Sequence, residues 1–186
     1  MFRSRLATNA LLAAVLNAAI ALDAHAELPP SIKVGDATLA LNGAGTRTKY
    51  FMSMYEAGLY LGAKNADAAA IIASNDPMAI RLEITSGMVT QEKMVTALNE
   101  GFAAATGNNT DSLRTEIEQF RKCFTAPIAK GDVFDLVHQP GHGVVVLKNG
   151  KPQGVIPGIT FKQTVFAIWL GKEPADEDLK VSMLGK

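Results

Sequence analysis

A single cysteine, Cys123, stands in the 186 residues, so no intrachain disulfide can brace the fold even in an oxidising compartment. Formal charge is absent too: 18 basic residues balance 18 acidic ones, and a chain so close to neutral offers no overall electrostatic case for nucleic acid or an anionic membrane. Only three histidines occur, and His138 and His142, four apart in a Gly/Pro-rich loop with no cysteine pair nearby, are too few for a structural zinc site. No Gly-Lys-Ser/Thr phosphate loop is present, and the Gly43–Gly45 segment does not open a helix as a dinucleotide site requires. Repeats, low-complexity tracts and linkers are also missing. No metal or cofactor is therefore expected, and an ordinary apolar core must stabilise the fold.

The one long apolar stretch lies at the start. Arg3 and Arg5 precede the Ala/Leu-rich run Ala7–Leu22, and Ala24-His25-Ala26 supplies small residues at the two positions that a signal peptidase reads. This order predicts a secretory signal over residues 1–26, cut after Ala26, and a periplasmic or secreted product. The competing reading is a membrane anchor, but Asn9, Asn17 and Asp23 leave the run short of the roughly 20 apolar residues of a span. Residues 27–186 are then one domain, with 16 basic and 17 acidic residues and no further span.

Within that domain, short strands are expected at Ser31–Val34 and Ala37–Leu41, followed by a bend at Asn42-Gly43-Ala44-Gly45. Tyr50–Leu61 reads as one long strand, with Gly58 marking a bulge or a close approach. A short helix at Ala66–Ala73 and a strand at Met78–Thr85 follow. Thr90 can cap a helix whose Met94, Val95, Leu98 and Phe102 recur at helical spacing, and Gly107-Asn108-Asn109 breaks it. Thr110 or Asp111 caps the next, with Leu113, Ile117, Phe120 and Phe124 on one face. Asn149-Gly150 suits a type I′ turn between Val144–Leu147 and Gly154–Ile156, with Val133–His138 as the preceding strand. Helices from Gly158 to Leu170 and from about Asp176 to Leu184 close the chain. Strands, helices, strands, helices in that order imply an α+β fold, an antiparallel sheet with helices on one face.

Three stretches carry a family resemblance: GAGTRTKYFMSMYEAGLYLG (43–62), GDVFDLVHQPGHGVVVLKNGKPQGVIPG (131–158) and FKQTVFAIWLGKEPADEDLKVSMLG (161–185). In this order and spacing the chain resembles the bacterial exported chalcone isomerase-like proteins. The resemblance implies an open-faced β-sandwich, a large antiparallel sheet under a layer of helices with a ligand cleft between them. It also implies one of three functions: chalcone cyclisation, fatty-acid binding, or no assigned activity.

Arg47 follows the Gly-x-Gly segment where the family binds the anionic end of its ligand, an oxyanion in the isomerases or a carboxylate in the fatty-acid binders. A planar fork of donors suits either, and the competing role is a structural ion pair. Tyr55, in the pattern F-x-x-x-Y-x-x-G-L-Y-L, stands where the isomerases carry threonine and the fatty-acid binders a tyrosine; alternatively it fills the sheet face. Asn99 falls at an isomerase asparagine and Glu92 at its tyrosine. Ile168 replaces a hydroxyl residue and offers no hydrogen bond. Tyr60, Cys123 and Trp169 read as core, and Asn108-Asn109-Thr110 matches a glycosylation sequon of the kind common by chance.

These departures weigh against chemistry that needs preorganised polar groups. They favour binding of a small amphipathic, anionic ligand such as a fatty acid by Arg47, Tyr55, Asn99 and Ile168. An intramolecular lyase using Arg47 is the rival reading, and a structural or interaction domain with a filled core is the third.

Overall fold

A computed structural model describes residues 28–186; the leader assigned to residues 1–26 lies outside this range. Seven strands form one antiparallel sheet in sequential order, β1(Ser31–Val34), β2(Ala37–Lys49), β3(Met52–Leu61), β4(Met78–Ile84), β5(Val133–Gln139), β6(Gly143–Lys148) and β7(Lys151–Ile156). Helices interrupt this meander at two places. α1(Ala68–Ala73) links β3 to β4, while α2(Gln91–Ala105) and α3(Arg114–Lys122) link β4 to β5. α4(Ile159–Leu170) and α5(Glu177–Met183) follow the last strand.

The main core lies between one sheet face and the helices. Tyr55, Ala57, Leu59 and Leu61 of β3 alternate into it, as do Met78, Ile80, Leu82 and Ile84 of β4. From the helical side come Leu98 and Phe102 of α2, Phe120 of α3, and Phe161, Val165 and Phe166 of α4. Phe102 meets Phe120 edge-on at 5.6 Å and Phe124 stacks on Phe134 at 5.0 Å, so aromatic pairs add specific geometry to area burial. Cys123 is buried in this cluster, and burial pushes its thiol up to about 11, away from reactivity. A smaller cluster of Val34, Leu39, Tyr60, Ala79 and Val137 covers part of the other face. There Arg81 and Asp135, opposite each other on β4 and β5, form a two-pronged ion pair.

The structure corrects several boundaries. The expected bend at Asn42–Gly45 is instead the middle of the 13-residue strand β2, with register shifts at Leu41/Gly43 and Arg47/Thr48. These glycines serve close packing: a Cβ on Gly45 would lie 2.7 Å from Ser182 Cβ, and one on Gly43 would strike the backbone of α5. The strand expected from Tyr50 starts at Met52, because Tyr50 and Phe51 form the turn, with φ of 53° and 62°. Gly58 keeps regular pairing, and its missing side chain admits Leu28 and Leu41. α1 begins at Ala68, since the Asp67 side chain caps it. Neither Thr110 nor Asp111 caps α3, which starts at Arg114 after a 3-10 turn over Asp111–Leu113. Thr90, by contrast, caps α2 as expected, and Asn149-Gly150 takes positive φ at both residues of a two-residue hairpin turn.

Candidate functional site

A cavity of about 280 Å³ opens between the turn end of the β2–β3 hairpin and helices α2 and α4. The pairing of β2 with β3 shifts register between Arg47 and Thr48 at this end of the hairpin. Arg47 and Tyr55, direct partners across β2 and β3, form the sheet-side wall. The Arg47 guanidinium lies 5.8 Å from the centre of the Tyr55 ring, a cation–π arrangement that holds the fork beside the phenol. Among the described residues Arg47 makes no ion pair with a carboxylate.

Tyr55 is buried, and its hydroxyl accepts a hydrogen bond from Trp169 Nε1 at 3.1 Å. Because the indole is a donor only, the phenol must accept there, which leaves its own O–H available to an acceptor in the cavity. Trp169 is thus core, as expected, and also fixes the phenol at the polar end. Tyr60 points to the opposite sheet face, where its hydroxyl donates to Pro29 O.

The helical wall is mostly apolar. Ile168 of α4 and Met94, Ala97 and Leu98 of α2 line it, with Met54 of β3 and Met88 and Val89 of the β4–α2 loop. A Cβ on Gly101 would lie 2.6 Å from Ile168 Cγ2, so this glycine sets how closely α2 approaches α4 and where Ile168 sits. Asn99 is exposed and not among the lining residues, and neither is Glu92. The reason is angular: Met94, Leu98, Gly101 and Phe102 define the buried stripe of α2, and Asn99 lies a residue off it.

The sequence reading missed two cations, Lys49 and Lys93, which join Arg47 at the cavity, with Glu100 as the one acidic lining residue. Positive potential therefore gathers at the cavity of a chain that is neutral overall. It also missed three methionines, Met54, Met88 and Met94, whose flexible thioethers adapt to apolar guests. Met94 lies on the α2 stripe that helical spacing marks, whereas Met88 reaches the lining from the loop before α2, whose placement no sequence period encodes.

His138 and His142 do not converge. His142 is exposed, whereas His138 is buried with Nε2 3.0 Å from Asn75 Oδ1. Among the described residues no three His, Cys, Asp or Glu side chains cluster as a metal site would need.

A family model described as chalcone isomerase-like matches residues 23–185. Among solved structures, the crystal structure of an Arabidopsis thaliana fatty-acid binding protein superposes with a TM-score of 0.65 at 21% identity, covering 84% of this chain and 90% of that one. No curated protein sequence matches.

Proposed function

The chain belongs to the chalcone isomerase-like family, and from that premise we propose that it binds a fatty acid or similar amphipathic carboxylate without transforming it. The carrying observation is the pairing of Arg47 and Tyr55 in a cavity that also has a wall of Ile168, Leu98 and three methionines. The guanidinium supplies parallel N–H donors to the carboxylate and the Tyr55 hydroxyl supplies another. Ile168, Leu98 and the methionines receive the chain. The volume, near the lower end of the roughly 300–1,000 Å³ of ordinary ligand pockets, favours short or medium chains, or a longer one whose tail leaves the mouth. The fold of the Arabidopsis fatty-acid binding protein supports this reading as a precedent of shape.

The Ile168 wall also bears on the cyclisation alternative. A reaction through an oxyanion needs donors around the developing charge, and an aliphatic side chain supplies none at that position. The reading includes export: Arg3–Arg5, the apolar run and Ala24–Ala26 support delivery to the periplasm, where the ligand would be met.

Titration with a fluorescent fatty acid tests the site. Arg47→Ala removes charge-assisted hydrogen bonds of about 1.5–3 kcal/mol, so affinity should fall roughly ten- to a hundredfold. Thermal stability should change little, because Arg47 is only half-buried. Tyr55→Phe keeps the wall and loses the donor, for a fall of several-fold, about 1 kcal/mol. Unchanged affinity in Arg47→Ala would remove this site from the account.

A further inference from the structure

The β2–β3 turn breaks a local rule beside the cavity. Among the described residues, two hairpins have two-residue turns with positive φ throughout. At the β6–β7 turn the residues are Asn149 and Gly150, the types that tolerate this backbone. At the β2–β3 turn they are Tyr50 and Phe51, for which the left-handed region is costly. Packing does not compensate. Phe51 is 103% exposed and Tyr50 76%, with Met52 and Met88 also exposed. Tyr50 and Met88 both line the cavity, so this apolar projection stands at its mouth. Strain and exposed aromatics at one turn mark a place where the sequence serves something other than the fold.

Charge around the projection indicates its counterpart. Arg47, Lys49 and Lys93 lie at the same cavity, against Glu100, and Lys49 holds its ammonium 5.6 Å from the Tyr50 ring. Tyrosine and phenylalanine rings flanked by cations match the boundary of an anionic bilayer: the rings enter the headgroup region and the cations meet lipid phosphates. The neutral whole-chain sum conceals this, because docking depends on where charge lies.

We propose that the Tyr50–Phe51 turn docks on an anionic lipid surface, bringing the cavity mouth to the membrane so that an amphipathic ligand passes between bilayer and cavity. The docking step stands on the turn and the cations around it; only the identity of the cargo rests on the ligand reading above.

Vesicle co-sedimentation, with no fatty acid added, tests it on the protein purified after expression of the full chain. The comparison is phosphatidylglycerol/phosphatidylcholine vesicles against pure phosphatidylcholine. Partitioning should be stronger on the anionic vesicles and weaken as salt is raised. Phe51→Gly should lower it about tenfold, because the ring is lost from the headgroup region. The melting temperature should hold or rise, since glycine relieves the backbone at that position. Tyr50→Asn combined with Phe51→Gly should abolish partitioning. Fatty-acid affinity in solution should be unchanged in Phe51→Gly, whose side chain is outside the cavity lining.

No partitioning by the wild type, or equal partitioning by both variants, would overturn the proposal. So would self-association in sedimentation velocity that Phe51→Gly removes, because the turn would then be a contact between copies of this chain. Vesicle binding combined with no fatty-acid binding in solution would leave docking intact and fail the ligand reading.

Discussion

Asn42, His138 and Lys162 show how much of this molecule is decided by single polar side chains buried among apolar ones. Asn42 sits at the first register shift of β2. Its amide donates to Asn65 O and Met183 O, and its carbonyl oxygen accepts from Asn65 N. Sequence reading placed it in a bend; its real role is to join β2, the segment after β3 and the end of α5. Asn42→Ala orphans these backbone groups and should cost about 3 kcal/mol in urea denaturation. Lys162, fully buried on α4, donates to the carbonyl oxygens of Ile71, Ile72 and Ser74 and so closes the C-terminal end of α1. A lysine in an apolar helix gives no sequence signal of that role, because its acceptors lie about 90 residues away.

His138 makes stability depend on pH. Burial holds its pKa below the ordinary 6.5, and the nearby Lys162 cation pushes it the same way. The unfolded chain therefore binds this proton first as pH falls through 6.5, and the folded state loses stability until the folded value is passed. Unfolding free energy should thus be lower at pH 5 than at pH 7. His138→Gln should reduce that difference, as measured by denaturation midpoints at the two pH values.

Among the elements, strands and helices with clean periodicity were legible. β4, β5 and α2 appear within a residue or two of the expected bounds, since alternation and the Thr90 cap are local signals. Less legible were the glycines of β2. Gly43 and Gly45 resemble turn residues in one dimension, and only the arrival of α5, some 140 residues later, explains them as a packing surface. Gly101 works in the same way between α2 and α4. Alanine there gains about 1 kcal/mol of helix propensity. Its Cβ nevertheless collides with the stiff Ile168 side chain at 2.6 Å. Gly101→Ala should lower stability by about 1–2 kcal/mol net and press Ile168 into the cavity. A thermal melt and a weakened fatty-acid titration in the same variant would check both effects.

At the scale of the whole molecule, a neutral sequence folds so that Arg47, Lys49 and Lys93 collect at one cavity. The α+β class, the family and the Arg47–Tyr55 pair could be reached from sequence, because they rest on element order and on motif residues near each other in the chain. The second and third cations, the contribution of Met88 and the exposed place of Asn99 could not, since they follow from how the end of β2, the loop before α2 and α2 itself come together over the sheet. The proposed carboxylate ligand should stay in such a cavity through gentle purification.

Native mass spectrometry of the purified protein, followed by solvent extraction, tests this most directly. The account predicts an added mass that extraction identifies as a fatty acid or related carboxylate, and that is absent from Arg47→Ala. An empty wild-type protein that also refuses added fatty acids in titration, or a guest retained equally by Arg47→Ala, would contradict it.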